Sequence, residues 1–423
     1  MSQINRKQLA DGVFFSSVRD GRFKTMKISA NIIVPLSADT AAANALLCDV
    51  LSHSCKAYPD FTALSKKLCS LYGADLSAFV RKVGDHQLIA LSAMGLDDRY
   101  TLNGESVAQE LSRLLCSVIF EPNLSDGVFV EENVEQERRQ LLDSIDAEYN
   151  DKRLYAIAQL IKHMCAKETY GIKRYGSAQQ VREVTPQDLT NAWKNLLKTA
   201  IFEIVYVGDS APDKAQAVFS EAFGNIDRAP AAADTQIIRT ANSVNTVTEE
   251  INVAQAKLVM GFRAGTALPE KEADAAALMC AILGGTANSK LFCNVREKQS
   301  LCYYCASRYD KHKGIMLIDS GVQTENIDKL KAGILKEIED MKNGVITDFE
   351  MDATKRAMIN SFYSSNDTVG GIEAWYTAQL FDGGFTTIEE MAARIGAVTK
   401  EQVIAAANKL TLDTVYVLKN SEG

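Results

Sequence analysis

Two stretches of this 423-residue chain repeat one another, and that repeat limits the fold more than any other feature. VTPQDLTNAWKNLLKTAIFEIVYVGD, from Val184, and VTKEQVIAAANKLTLDTVYVLKN, from Val398, each read as a capping Thr, an amphipathic helix, a short break and an apolar strand. A second pair agrees. Residues 86–94, followed by a helix through Leu111, match residues 314–322 followed by a helix over 326–341. The spacing between copies far exceeds the roughly 20 to 50 residues of stacked repeats. The chain is therefore expected to hold two copies of one α+β unit, each a mainly antiparallel sheet with helices on one face.

Along the first copy, apolar alternation predicts a hairpin of residues 12–18 and 24–35 around Asp20-Gly21. Helices follow over 40–53 and 61–71, strands over 76–81 and 86–94, and a helix over 107–120 whose Leu111, Leu114, Leu115 and Val118 share one face. Residues 128–167 read as one or two helices, and 202–208 as a buried strand. DRAPAAADTQIIRTANSVN is short of large apolar residues and reads as a linker over 227–245. It separates expected domains at 1–226 and 246–423.

A net charge of −8 without blocks of like charge gives no footprint for nucleic acid or an anionic membrane. Apolar runs fall far short of the roughly 20 residues that span a bilayer. MSQINRKQLADGVFF shows no secretory pattern, so a cytoplasmic location is expected. The cysteines number nine, and Cys69, Cys116, Cys165 and Cys280 fall on apolar faces rather than in paired Cys-x-x-Cys clusters. Reduced, mostly buried thiols are expected, without a structural zinc.

Asp49 and His53 lie four apart and would share a helical face, with Cys48 and Cys55 nearby, which is one arrangement that could hold a metal. With no supporting shell to argue from, a solvated His53 near a helix end is the plainer reading. His86, His163 and His312 are isolated in sequence. A cysteine nucleophile has no His or Asp partner that the sequence can place.

Three segments resemble a known family. TYG, Gly176, VTPQDL and IVYVGD within 169–209, GGTANSKLFCNVREKQSLCYY over 284–304, and ITDFEMDATKRAMINSF over 346–362 are similar to the M16 peptidases, the insulinase and mitochondrial-processing-peptidase-like family. The likeness runs over nearly the whole chain. It implies two tandem homologous LuxS/MPP-like metallohydrolase domains.

Active M16 enzymes place His-x-x-Glu-His on the first long helix, the two His binding zinc and the Glu acting as general base, with a later Glu completing the site. Aligning Tyr58-Pro59 with the Tyr-Pro that often ends this element puts the first His at Ala45, the Glu at Cys48 and the second His at Asp49. The later Glu falls on Ser144, beside Asp143. This register leaves no hydrolytic zinc and no cofactor, so the resemblance implies an M16B-type zinc-less subunit.

The family also uses an Arg and a Tyr seven residues later on the second domain, facing the substrate carbonyl. Arg296 and Tyr303 keep that spacing, with Tyr304 as the alternative register. A guanidinium can hold a peptide carbonyl and a phenol can donate to a growing oxyanion. The plainer reading pairs Arg296 with Glu297 and packs Tyr303 at a strand start. The glycine-bearing segment 283–289 could touch peptide, although a Gly-Gly turn is more often only a turn.

The resemblance thus implies a heterodimer in which a zinc-bearing M16 partner supplies the metal and this chain positions a peptide. A different class, a noncatalytic peptide-binding scaffold, stays open: KAYPDFTALSKKL and HKGIMLIDSGV are similar to the branch associated with elongation factor P modification. A third reading, an active peptidase with an unusual site, would need a residue to replace Ala45.

Overall fold

The computed structural model describes residues 4–224 and 226–421. In chain order its elements are β1 (Asn5–Ala10), β2 (Val13–Arg19), β3 (Thr25–Pro35), α1 (Ala41–His53), α2 (Phe61–Ser70), β4 (Asp75–Val83), β5 (His86–Leu96) and α3 (Val107–Phe120). The ribbon β6 (Leu124–Ser125) and β7 (Val128–Phe129) precedes α4 (Glu131–Asn150), α5 (Lys152–Met164), α6 (Ala178–Glu183), α7 (Pro186–Thr199), β8 (Ile201–Gly208) and α8 (Asp213–Phe223). Then come β9 (Asn245–Glu250), β10 (Ala256–Arg263), α9 (Ala273–Cys280), β11 (Cys302–Asp310), β12 (Ile315–Val322) and α10 (Ile327–Lys342). The chain closes with α11 (Asp348–Ser364), α12 (Val369–Thr377), α13 (Ile388–Ala397), α14 (Lys400–Lys409) and β13 (Thr411–Lys419).

The duplication is visible in the sheets. The first has the order β1-β2-β8-β3-β5-β4, and the second, read from its far edge, β9-β13-β10-β12-β11. Leaving out β1, the two orders match strand for strand. Each holds one parallel pair, β2 with β8 and β9 with β13, among antiparallel neighbours. The repeated Val-Thr segments open α7 and α14, where Thr185 and Thr399 each close a capping box, with Asp188 and Gln402. The α+β class and the paired, mainly antiparallel sheets agree with the sequence.

The expected hairpin of β2 and β3 does not form, because β8 lies between them, parallel to β2 and antiparallel to β3. Seven of the eight β8 residues are buried, so this strand needs a neighbour along both edges. The hairpin is instead β1 with β2, turned at Asp11-Gly12 with Gly12 at φ +65°.

The chain forms two compact units, Met1–Ile145 with Ile172–Asp234 and Ser365–Leu380, and Asp146–Gly171 with Thr235–Ser364 and Phe381–Gly423. A division at 226 and 246 does not describe them, since 146–171 and 365–380 change sides. Each exchanged segment covers the second face of a sheet. In the first unit the even residues of β3, Met26, Ile28 and Ala30, face the main core. On its odd face Lys27 and Ser29 meet Glu373 of α12 at 2.9 and 2.6 Å.

In the second unit, Ala156, Leu160 and Met164 of α5 pack with Val259, Tyr416 and Leu418. Gly261 makes that approach possible, because a Cβ there would stand 2.6 Å from Met164 Sδ. Buried charge then fixes the end of the segment. Glu168 accepts from Arg263 Nη2 at 2.7 Å and from Lys313 Nζ at 3.0 Å, while Arg263 Nε also reaches Asp413 at 2.7 Å.

The linker segment is anchored as well: buried Arg228 donates to the carbonyls of Asp11, Leu197 and Ala200. Among the described residues no helix is long and apolar enough to cross a membrane.

Candidate functional site

The helix α1 is alanine-rich at its start, which lets it lie close on the sheet, and nine of its thirteen residues are buried. Ala45 and Cys48 are buried, and burial pushes the Cys48 thiol well up. The four part-exposed residues are Ala43 near its start and Asp49, Ser52 and His53 toward its end.

α4 is highly charged, and its buried residues are Val134, Glu137 and Arg138. Arg138 sets its phase by donating to Val181 O and Val184 O, both at 2.8 Å, at the end of α6. The neighbouring Glu137 is thereby turned toward α1, where its Oε1 lies 3.0 Å from His53 Nδ1. Gln140 donates to the same oxygen at 3.1 Å, and the His53 ring stacks on Phe61.

The expected set is not brought together. Ser144 is exposed and its hydroxyl donates to Gln140 O within α4, and Asp143 is exposed beside it. Glu137 lies seven residues, two helical turns, before Ser144 and holds the place that Ser144 was expected to take. His53 is part-buried, with its Nδ1 against Glu137, rather than solvated. The group that the structure assembles is Asp49, His53 and Glu137. The signal for it was the spacing Val134, Glu137, Arg138, Leu141, which marks the inner face of α4.

Burial, then the charge of Glu137, pushes the Asp49 carboxyl up to about 7. Burial also raises Glu137 and lowers His53. Among the described residues no three His, Cys, Asp or Glu side chains are placed to hold a metal ion. Ser52 sends its hydroxyl to Asp49 O at 2.8 Å and offers no general base. The residues present do not fit a hydrolytic zinc, and Cys55 is buried with its thiol raised by burial.

In the second unit, Arg296 ends the helical stretch Leu291–Lys298, with its guanidinium 4.7 Å from the Phe292 ring centre and 3.6 Å from Glu297. Tyr303 follows on β11 at a bulge: Cys302 pairs with Val322 and Tyr304 with Gly321, which leaves Tyr303 outside the register. Bulges re-aim side chains, and Tyr303 is 57% exposed. Its hydroxyl lies 3.4 Å from Gln323 Nε2. Tyr304 is turned inward, its hydroxyl buried without a hydrogen-bond partner and its ring 4.3 Å from the Arg153 guanidinium. In segment 283–289, Gly284 is buried against Ser307 N, which gives that glycine a packing role.

The sequence model described as the Peptidase M16 inactive domain matches residues 183–358. Over its full length the chain is 30% identical to a Bacillus subtilis protein described as "Probable inactive metalloprotease YmfF", all of which is covered. The chain belongs to the M16 peptidase family. An Enterococcus faecalis V583 crystal structure, described as a conserved protein, superposes over the whole of both chains with a TM-score of 0.92 and 26% identity.

A second relative, the "Uncharacterized zinc protease YmxG" of Bacillus subtilis, is 26% identical over 181 residues, 42% of this chain and 44% of that one. A Pseudomonas fluorescens structure described as a peptidase M16 inactive domain shares the fold, with a TM-score of 0.80 at 19% identity over 99% of this chain and 98% of that one. The matched M16 domain and the full-length relative are both described as inactive, in agreement with the expectation of a noncatalytic M16 homologue.

Proposed function

We propose that this chain is a noncatalytic M16 subunit that holds an extended peptide and works with a zinc-bearing M16 partner. The observation that carries this reading is the bulge that turns Tyr303 outward, seven residues after Arg296, on a strand at the edge of its sheet. Among the described residues β11 pairs with β12 alone, so an extended peptide can add to its other side through backbone hydrogen bonds. Arg296 and Tyr303 then lie beside it as carbonyl and oxyanion donors. The pairing is supported by the two Bacillus subtilis relatives, one described as inactive and the other as a zinc protease. Nine free cysteines suit a reducing cytoplasm.

On this reading the family motif falls in the register Asp49-x-x-Ser52-His53, with Glu137 as its later Glu. One His has become Asp and the general base has become Ser. The double substitution Asp49→His with Ser52→Glu completes His-x-x-Glu-His, and bound zinc should rise from background toward one ion per chain by mass spectrometry of the metal. Zinc content unchanged in the folded variant would remove this register.

For the function itself, the chain is mixed with a zinc-bearing M16 protein and cleavage of an unfolded peptide is followed. The mixture should cleave where this chain alone does not. Arg296→Ala and Tyr303→Phe should each lower kcat of the mixture about 10²-fold, the usual effect of removing an oxyanion donor. The same peptide N-methylated at alternate amides should bind poorly, because it cannot pair along β11. No complex and no discrimination against the methylated peptide would leave a scaffold role instead.

A further inference from the structure

Cys302 and Cys305 stand three apart on β11 in a Cys-x-x-Cys spacing that a reading of the cysteines as separate core residues passes over. Strict alternation would send them to opposite faces of the sheet. The bulge at Tyr303 resets the alternation, so Cys305 sits in the core of the second unit and Cys302 packs against that same core. The two thiols therefore share one face of β11, against one core. Cys305 is buried, whereas Cys302 is half-buried.

We propose that Cys302 and Cys305 form a redox pair which a hydroperoxide closes to a disulfide, with Cys302 as the attacking sulfur and Cys305 as the resolving one. The Cys302 thiolate attacks the peroxide oxygen, and the O–O bond breaks. Hydroxide leaves with the electron pair and takes up a proton to become water. Cys305 then gives up its proton and attacks the sulfenic sulfur; the S–S bond forms as the S–O bond breaks, releasing a second water. Two thiols and one hydrogen peroxide become one disulfide and two waters, so the cysteines lose two electrons and the peroxide gains them.

The surroundings suit those roles. The Cys305 S–H, and after it the charge of Arg296, hold the Cys302 thiol below its ordinary value. The contact with Cys302, and then burial, push Cys305 well up, which keeps it protonated until the sulfenic acid forms. Cys116, Cys165 and Cys280 are pushed up to about 12 by burial and are poor competitors. Cys302 is the first residue of an edge strand, so it can move toward Cys305 without breaking a ladder on its outer side. Closure would also tighten the bulge that aims Tyr303. That consequence rests on the peptide reading above, whereas the thiol chemistry does not and is tested alone.

The test treats the reduced full-length chain with stoichiometric hydrogen peroxide at neutral pH, blocks remaining thiols with N-ethylmaleimide, and maps the peptides by mass. The expected product is a peptide carrying 302–305 that is lighter by two hydrogens and takes no label. Cys302 should be consumed several-fold faster than the exposed Cys69. In Cys305→Ala, Cys302 should be trapped by dimedone as the sulfenic acid. Consumption of Cys302 no faster than Cys69, or both thiols still open to maleimide in the oxidised wild-type chain, would overturn the assignment.

Discussion

Replacing Glu168 by alanine is expected to lower stability by about 3–5 kcal/mol, the usual cost of leaving a buried charge without its partner. Glu168 is 8% exposed, and its two cationic partners are more deeply buried, with Arg263 at 2% and Lys313 at 0%. Arg263 retains Asp413 and Lys313 its bond to Gln236 O, but both buried cations lose the Glu168 carboxylate. The loss falls on the segment 146–171, whose α5 covers the second face of the β10 sheet. Burial alone would raise the Glu168 carboxyl, but bonds from Arg263 and Lys313 outweigh it and hold the group below its usual range.

The sign follows from that lowered value. The contribution is present above the ordinary carboxylate range and is lost as pH falls through the lowered value in the folded chain. Urea unfolding at pH 7 and pH 3 measures both effects. Glu168→Ala should shift the pH 7 midpoint strongly and the pH 3 midpoint less. Lys336→Ala, which removes an exposed i,i+4 pair with Asp340, should move neither. A shift for Glu168→Ala no larger than that of Lys336→Ala would show that water or a shifted backbone satisfies the two cations.

The second large effect has the opposite pH dependence. Asp49 titrates at about 7 in the folded chain because burial, and then Glu137, disfavour its charge. A carboxyl raised in the folded state binds its proton more tightly there than in the unfolded chain. Stability attributable to Asp49 is therefore full below about pH 4 and is lost as pH rises from about 4 to about 7. Asp49→Asn removes the charge and keeps the shape. It should stabilise the chain by about 2–4 kcal/mol at pH 8, from three pKa units of displacement, and change little at pH 4. His53, lowered by burial, loses stability as pH falls below its ordinary value, which steepens the acid side in both proteins.

Thermal unfolding from pH 4 to pH 8 resolves this. A variant whose gain is the same at both ends would mean that Asp49 packs better as an amide and that its ionisation carries no cost. A gain confined to high pH would show that ionising Asp49 in its buried place beside Glu137 carries the cost. Such a result also bears on function, since a helix end that prefers to hold protons near neutrality is poorly suited to a divalent cation.

Local structure was legible because it rests on short-range physics. The helix over 107–120 follows from Leu111, Leu114, Leu115 and Val118 on one face, and α3 spans Val107–Phe120. The two Val-Thr segments carry their own caps, and both caps form. The zinc-motif register was not legible in the same way. Ala45, Cys48 and Asp49 are consistent with helical spacing, but so are Asp49, Ser52 and His53 one turn later. Nothing local says which turn of α1 meets α4; Arg138, bound to carbonyls more than forty residues away, decides it. Exposure of Cys69 and the shared face of Cys302 and Cys305 are likewise properties of packing and of a bulge.

The sequence by itself determined the α+β class, the duplicated unit and the M16 kinship, because periodicity, caps and motif spacing are properties of neighbouring residues. Only the tertiary structure decided that β8 enters between β2 and β3, and that 146–171 and 365–380 cover the sheets of opposite units. It also decided that His53 rests on Glu137. In each of these the deciding energy is burial or pairing between residues far apart in the chain, and a one-dimensional pattern carries no term for that.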